Sequence, residues 1–358
     1  MLHSINMLRT FSCFGIALYH IMEFVYAHSD TVKVSVSAGP GFHLFIAISG
    51  FILVFIARPG DTPVNFMMKR AIRIVPLYWL ITTIALAMSL ARPWLFQKAD
   101  TSLSSIVSSY LFLPHYDLGG HIQPILFVGW TLGFIMFFYL LFSLSLLAPR
   151  RLQFPTVIVL TLGIIGASRL LPPGAYRTFY GSPILLEFAM GCVVGLSLQL
   201  PALQAFIRRF PMWPVALLGL VGFFIAAQYQ LSDWGKIAIF APSSTLILIA
   251  CAGQDLFRTP LKSDIMLMGG KISYGVFLIH PLLVTPFGVV IFKMTSNDWL
   301  ATILMIMTIL PVTSLLAYLS FRYFETPAAI WLRGALRLSK TRTMPAGSVK
   351  PGIGPSAV

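Results

Sequence analysis

The first apolar stretch of the chain, Ile5 to Phe24, carries three ionisable residues that could perform acid–base chemistry. Arg9 and His20 are eleven positions apart, so on a helix they project from one face, about 16 Å apart along the axis. Histidine takes and returns protons near neutral pH, and Glu23, one turn later, could fix its tautomer and raise its basicity. The alternative is structural: Arg9 extends to the headgroups and His20 hydrogen-bonds a neighbouring helix.

A second group of candidates, Lys69, Arg70 and Arg73, precedes the third apolar run. Arg70 and Arg73 are three residues apart and therefore share a helical face. Arginines in this arrangement can bind the phosphates of a cofactor through bidentate contacts. The competing explanation is that these cations only anchor the cytoplasmic end of a membrane helix.

Polar residues inside other apolar runs are further candidates, because such groups are costly within a bilayer and usually serve a function. Glu187 requires a partner, an arginine or histidine elsewhere in the bundle, while His43 and His280 lie at the edge and in the interior of their runs. Glu325 is expected to pair with Arg322 on the same helical face.

The polar residues His115, Asp117 and His121 have a spacing that loosely resembles that of metal ligands. They lie in a connection without the helical periodicity that would hold them in place. The sequence therefore predicts no metal site there.

The elements that must position these residues are membrane helices. The chain has 358 residues, of which 57% are hydrophobic and 10% charged, against about 25% charged in soluble domains. All three cysteines lie in apolar runs, so no disulfide framework is expected. Arg9 interrupts the first run, so a cleaved signal peptide is not expected. Ten spans are predicted, at 5–26, 41–57, 72–91, 128–148, 155–171, 183–200, 213–230, 236–252, 272–293 and 299–321.

The distribution of basic residues predicts the orientation. Seventeen of the 25 lysines and arginines lie in the C-terminal tail and the loops after even-numbered spans, and seven lie in the other loops. Cytoplasmic loops are enriched in these residues, which predicts N-in/C-in topology and explains the net charge of +14 without nucleic acid. The predicted all-α membrane domain covers 1–330, and a basic, Pro/Gly-rich cytoplasmic tail covers 331–358.

The order of several motifs resembles the acyltransferase 3 family of bacterial inner-membrane O-acyltransferases, specifically its exopolysaccharide-acetylating branch. Arg9 is followed after ten residues by His20, and the other matching segments follow along the chain. They are GFHLFIAISGF (41–51), KRAIRIVPLYW (69–79), SYLFLP (109–114), GWTLGFIMFFY (129–139), SPILLEFAMG (182–191), ISYGVFLIHPLL (272–283) and FRYFETP (321–327).

The resemblance implies a multi-pass inner-membrane enzyme that moves an acetyl group from cytoplasmic acetyl-CoA to a carbohydrate or lipid-linked glycan hydroxyl at the outer face. By motif position His20 is the catalytic histidine with Arg9 as its companion, and Arg70 and Arg73 bind the coenzyme. Glu23 and Lys69 join these two expected sites because of their spacing from His20 and Arg70. Membrane lipids and other polysaccharide-assembly proteins are the remaining expected partners. The expected substrate-binding or structural polar residues are His43, Trp130, Glu187, Tyr274, His280 and Glu325.

One position departs from the family pattern. The glutamate that normally follows the WTL segment is Ile135 here, and Gly133 replaces a bulkier or polar residue. This departure leaves one alternative open, a catalytically impaired relative that acts as a polysaccharide-assembly scaffold. Ten helices with intramembrane arginine, histidine and glutamate leave a second one open, a proton-coupled exporter. The lack of an internal repeat argues against the exporter.

Overall fold

The computed structural model describes residues 2–34, 39–57, 61–96, 98–229, 232–258 and 263–336, and its regular elements are all helical. A π-helical turn, Phe321–Glu325, precedes the last helix. The helices are α1 (His3–His28), α2 (Gly39–Ile56), α3 (Pro63–Ala91), α4 (Leu103–Tyr110), α5 (Gly129–Ser145), α6 (Gln153–Ala167), α7 (Ala175–Tyr180), α8 (Ile184–Ser197), α9 (Pro201–Arg209), α10 (Trp213–Gln228), α11 (Asp233–Phe257), α12 (Asp264–Met294), α13 (Asp298–Ser320) and α14 (Thr326–Ala335).

The predicted multi-pass membrane architecture is confirmed. Within the described ranges, seven helical segments are long and apolar enough to cross a membrane. An eighth is added if α9 and α10, which meet at an angle of 98°, form one broken span. The apolar helices at the predicted second and fourth spans are shorter, at Gly39–Phe55 and Gly129–Ser145. The total of ten spans and the N-in/C-in orientation stay predictions.

The helix α3 begins well before the predicted span. The Thr62 side chain accepts a hydrogen bond from the Asn65 backbone N–H at 3.2 Å, and Pro63 occupies the first helical turn. Both are signals for a helix start. The basic residues 69, 70 and 73 therefore lie on regular helix within the bundle rather than in a loop at its entrance.

The C-terminal part of the described chain is a continuous helical path from α13 through the π-helical turn into α14. The predicted domain boundary at 330 falls inside α14, which ends at Ala335. Most of the predicted tail, 337–358, lies outside the described residues. The same holds for several residues of the charge count: Arg58, Lys262, Arg337, Lys340, Arg342 and Lys350.

The helix α1 packs against α12 and α2 and is tied to other helices at both ends. At its start, the Ser4 backbone N–H and hydroxyl donate to the Asp255 carboxylate of α11 at 2.7 and 2.8 Å. Just after its end, the hydroxyls of Ser29 and Thr31 donate to Asp298 of α13 at 2.7 and 2.9 Å. These hydrogen bonds fix the position of α1 in the bundle.

Glycines of α12 allow close contact with α1. A Cβ atom added at Gly270 would collide with Asn6, and one added at Gly288 would collide with the Phe24 ring. One contact joins the N-terminal parts of the two helices and the other joins their C-terminal parts, so α1 and α12 run parallel. Small residues commonly bring membrane helices together in this way.

A similar contact joins α2 to α8. A Cβ atom at Gly50 would collide with the Phe188 carbonyl, and one at Gly191 would collide with the Ala47 carbonyl. The backbones are therefore close enough to touch, which small residues permit between packed membrane helices. This contact holds the polar residues near the starts of both helices opposite each other.

Candidate active site

The structure joins His20 to Glu23 on α1. The His20 Nδ1 atom lies 3.0 Å from Glu23 Oε2, while the histidine side chain is 17% exposed and the glutamate side chain 60%. An ionised carboxylate can only accept, so the imidazole carries its proton on Nδ1 and keeps a lone pair on Nε2. That tautomer presents Nε2 as a base for a substrate hydroxyl.

A second histidine, His280 of α12, lies against His20. The two ring centroids are 5.4 Å apart and the ring planes differ by 21°. The His280 Nδ1–H donates to the Val276 carbonyl at 3.0 Å, while its Nε2 atom is buried and without a hydrogen-bond partner among the described residues. The Phe127 ring contacts His20 edge-on, at 4.9 Å between centroids. His20 therefore has a buried imidazole on one side and an aromatic wall on another.

The predicted arginines meet farther along α1, toward its N-terminus. Arg9 interacts electrostatically with Arg73, and the Tyr139 hydroxyl of α5 interacts with Arg9, Arg70 and Arg73. We call Arg9, Arg70 and Arg73 the arginine cluster. Three cations this close repel one another, so the arrangement favours an anion among them.

An orphaned donor supports that interpretation. The Arg70 Nε atom is buried and has no hydrogen-bond partner in the described structure, and the same is true of the Arg333 Nε atom of α14. The two residues interact electrostatically, so Arg333 extends the cationic surface. Buried donors are normally paired, and phosphate oxygens would pair these. The residues present thus fit a phosphate-bearing ligand.

The Lys69 side chain differs from its two predicted companions. Its ammonium group forms a buried ion pair with Asp61, at 2.7 Å from Nζ to Oδ1. A cation neutralised in this way contributes less charge to an incoming anion than the arginines do. The structure brings Arg70 and Arg73 to Arg9 and ties Lys69 to the start of α3.

Glu325 and Tyr274 border the arginine cluster. Glu325 is buried and interacts electrostatically with Arg73, and the Tyr274 hydroxyl donates to the Ile74 carbonyl at 2.7 Å. The predicted pair between Glu325 and Arg322 is wrong, because Arg322 instead donates to the Tyr318 hydroxyl at 3.1 Å. Both residues lie in a π-helical turn, whose wider hydrogen-bond spacing removes residues three apart from a common face.

His43 and Glu187 form a separate buried pair between α2 and α8. The distance from His43 Nδ1 to Glu187 Oε1 is 2.6 Å, with side chains 6% and 0% exposed. The sequence predicts an arginine or histidine partner for Glu187, and the structure supplies His43. The His43 ring also stacks on Phe240, at 4.3 Å. Within the described residues no hydrogen bond or ring contact joins this pair directly to His20, and the pair links α2 to α8.

The polar residues of the connection between α4 and α5 form a turn. The Asp117 carboxylate accepts from the backbone N–H groups of Gly119 and His121 at 2.9 and 2.8 Å, and His115 bonds the Leu113 carbonyl. In the described part of the chain, no group of three or more His, Cys, Asp or Glu side chains is placed to hold a metal ion.

Comparison with known proteins assigns the family. The model of the acyltransferase 3 family, described as an acyltransferase domain, matches residues 2–319. The chain belongs to the acyltransferase 3 family. It is a membrane O-acyltransferase by family, which confirms the resemblance drawn from its motifs.

Three relatives show how the acyltransferase compares with individual proteins. The exopolysaccharide production protein ExoZ of Rhizobium meliloti is 37% identical over 248 residues, covering 67% of this chain and 74% of the relative. Acyltransferase MdmB of Streptomyces mycarofaciens is 24% identical, over 78% of each chain. O-acetyltransferase OatA of Staphylococcus aureus is 24% identical, over 89% of this chain and 56% of its own length. No solved structure matches the chain.

The two positions of this acyltransferase that depart from the family pattern, Gly133 and Ile135, lie in apolar surroundings. Ile135 is 3% exposed and belongs to the main apolar cluster of the bundle. A Cβ atom at Gly133 would lie 3.3 Å from the Phe179 ring, which stacks on Phe134 at 3.9 Å between centroids. The absent side chain at Gly133 thus makes room for an aromatic pair, and an apolar residue fills the neighbouring position.

Some residues of the site in this acyltransferase are not predicted from sequence. Tyr139 and Arg333 join the arginine cluster, and Phe127 packs on His20. A tyrosine within a run as apolar as α5 is a usable signal for Tyr139. The sequence gives no such signal for Arg333 and Phe127, since a basic residue after a membrane helix and an aromatic residue before one are ordinary features.

Proposed function

We propose that this acyltransferase moves an acetyl group from cytoplasmic acetyl-CoA to a hydroxyl of an exopolysaccharide or another cell-surface carbohydrate, within the bacterial inner membrane and in the N-in/C-in orientation. One observation carries the proposal. A single helix, α1, bears an activated histidine toward one end and an arginine of a cationic cluster toward the other. The ExoZ and OatA names, which refer to exopolysaccharide production and O-acetyl transfer, support the acceptor and the acyl group.

The arginine cluster is the proposed binding site for the coenzyme phosphates. Arg70 and Arg73 would bind them from α3 and Arg9 from α1, while Lys69, which is paired with Asp61, would contribute less charge. When bound, acetyl-CoA supplies an acyl thioester. Because Arg9 and His20 are about 16 Å apart along α1, the donor must be an extended molecule with phosphates at one end and its acyl group at the other.

His20 is the proposed general base. Its Nε2 atom takes the proton of the sugar hydroxyl as the hydroxyl oxygen bonds to the acyl carbon, and it returns that proton to the departing sulfur. Glu23, hydrogen-bonded to Nδ1, holds the reactive tautomer and stabilises the imidazolium that forms. A covalent relay through His20 would use the same nitrogen, so both routes depend on this residue.

A second candidate function is a polysaccharide-assembly scaffold, and the observation that favours it is Ile135. Ile135 is part of the apolar cluster and occupies the position at which the family pattern contains a glutamate. A scaffold would need the fold of the protein and would be indifferent to the chemistry of His20. A proton-coupled exporter, the third alternative, would change how much polymer leaves the cell.

The test compares wild type with His20→Ala in cells that make an acetylated polymer, and measures acetyl groups per sugar and total polymer. We expect His20→Ala to remove acetylation while polymer output and protein abundance stay unchanged. His28→Ala is the matched control, because His28 lies on the same helix with an exposed side chain. Unchanged acetylation in His20→Ala would contradict the proposal, and a fall in exported polymer at constant acetylation would indicate the exporter.

A further inference from the structure

A large cleft lies beside Trp130 at the start of α5. It has a volume of about 660 Å³ and is lined by the turn containing Tyr116, the first turns of α5 and α11, and the segment from Arg169 through α7 to the start of α8. Cavities of this size hold small ligands or a few monomer units of a larger one. In the proposed orientation these segments all lie on the outer side.

The cleft presents aromatic rings to its interior. Tyr116 is 44% exposed and Trp234 is 49% exposed, so both offer ring surface. Trp130 also lines the cleft, and its indole is held by Phe42 at 4.8 Å and Phe134 at 5.9 Å between ring centroids. Sugar rings have apolar C–H faces, and rigid amphipathic aromatic side chains can cover those faces at low entropic cost.

Two arginines line the same cleft. An added Cβ atom at Gly181 would meet the Arg177 carbonyl and the Ser168 hydroxyl, each at 2.7 Å, so the segments that carry Arg177 and Arg169 meet at this glycine. Neither guanidinium forms an ion pair in the part of the chain that the structure describes. Asp233, the one carboxylate among the described residues that line the cleft, lies 3.6 Å from the Lys236 ammonium. The lining is therefore net positive.

The cleft and the candidate catalytic histidine share one segment of chain. Trp130 lines the cleft, and its backbone N–H donates to the carbonyl of Phe127 at 3.5 Å. Phe127 in turn packs edge-on against His20. Two residues of one helical turn therefore connect the two sites, because Trp130 lines the cleft and Phe127 contacts the candidate base His20.

We propose that this cleft binds the acceptor and that it selects an acidic saccharide, one whose sugars carry carboxylate groups. The proposal rests on the proposed function, since it takes the acceptor to be a carbohydrate. Tyr116, Trp130 and Trp234 pack against sugar rings, and Arg169 and Arg177 bind the carboxylates through bidentate hydrogen bonds. The charge of the lining is the feature that distinguishes an acidic from a neutral acceptor.

The test measures equilibrium binding of a short oligoglucuronate, and of the same oligosaccharide with its carboxyl groups reduced to alcohols, to the full chain in neutral-lipid nanodiscs. We expect wild type to bind the acidic form roughly ten- to a hundredfold more tightly. The double variant Arg169→Gln/Arg177→Gln should lose that preference and bind the reduced form as wild type does. Arg92→Gln, an exposed arginine outside the cleft, is the matched control and should keep the preference.

Two further measurements separate the explanations. Trp234→Ala should weaken binding of both oligosaccharides by a similar factor, because ring packing does not depend on charge. Equal binding of both forms by wild type, or displacement of the oligosaccharide by glycerol phosphate, would overturn the proposal, the latter by indicating a lipid-headgroup site. Selective binding without acetyl transfer would retain this inference and remove the proposed function. Acetyl transfer with equal binding of the acidic and the reduced oligosaccharide would retain the proposed function and remove this inference.

Discussion

The imidazole rings of His20 and His280 lie nearly parallel, 5.4 Å apart, although 260 positions separate them in the chain. Only one of the two has a carboxylate partner, because Glu23 bonds His20 while His280 bonds a backbone carbonyl. The pair therefore combines an imidazole that is hydrogen-bonded to a carboxylate with a second ring whose Nε2 atom has no partner among the described residues. Such an acceptor is costly to bury and is available to a substrate hydroxyl.

The first prediction concerns His280→Phe. The substitution keeps an aromatic ring against His20 but removes the Nε2 acceptor, so we expect kcat for acetyl transfer to fall about tenfold or more while abundance and thermal stability change little. Initial rates and thermal unfolding of the purified variant check this. Full activity in His280→Phe would show that the residue only packs against His20.

The second prediction concerns Arg70→Gln. Loss of a guanidinium with a buried, unpartnered Nε atom should raise KM for acetyl-CoA about tenfold, because a charge-assisted contact to phosphate is lost. Acetylpantetheine, which lacks the adenosine phosphates, should be used equally well by wild type and variant. Arg151→Gln, which changes an exposed arginine between α5 and α6, is the control and should leave the use of both donors unaffected. Equal losses with the two donors would argue against phosphate binding.

The third prediction compares Ile135→Glu with Ile165→Glu. Both isoleucines are buried, but Ile135 lies one helical turn before Tyr139, which interacts with the arginine cluster. A glutamate at 135 can therefore be compensated by a nearby cation. We expect it to be tolerated with acetyl transfer at least equal to wild type, whereas Ile165→Glu should destabilise the protein by several kcal/mol.

The readouts for this pair are thermal unfolding in detergent and the rate of acetyl transfer. If Ile135→Glu unfolds as readily as Ile165→Glu, the field of the arginine cluster does not extend to this position. Ile135 would then be a residue to which the surrounding core has fully adapted.

The fourth prediction concerns the contact between α2 and α8. Gly191→Ala should destabilise the protein by about 1–3 kcal/mol, because the added methyl group collides with the Ala47 carbonyl and separates the helices that carry His43 and Glu187. Gly163→Ala on α6 is the matched control, since a Cβ atom there meets nothing within 4 Å. Thermal unfolding distinguishes the two, and equal stability would contradict the close contact seen here.

Much of the site follows from local sequence. The placement of Arg9, His20 and Glu23 on one helix depends only on helical spacing, and the structure forms the expected hydrogen bond within it. The need of Glu187 for a partner also follows from its apolar surroundings, and the identification of that partner as His43 comes from the fold.

The rest of the site depends on contacts between distant segments. His280 lies beside His20 because Gly270 and Gly288 set the register of α12 against α1, which no spacing within either helix reveals. The pair expected between Arg322 and Glu325 fails because a π-helical turn replaces the α-helical one. Apolarity alone likewise places the start of α3 too late, since it ignores the cap formed by Thr62.

The hydrogen bonds at both ends of α1 determine what has to move in the proposed reaction, whose donor and acceptor lie on opposite sides of the membrane. With Ser4 bound to Asp255 and Ser29 bound to Asp298, His20 stays at one depth in the bilayer. The donor and the acceptor must each travel to the histidine, and no helix has to carry an acyl group across. The barrier to ions can therefore stay closed throughout each turnover.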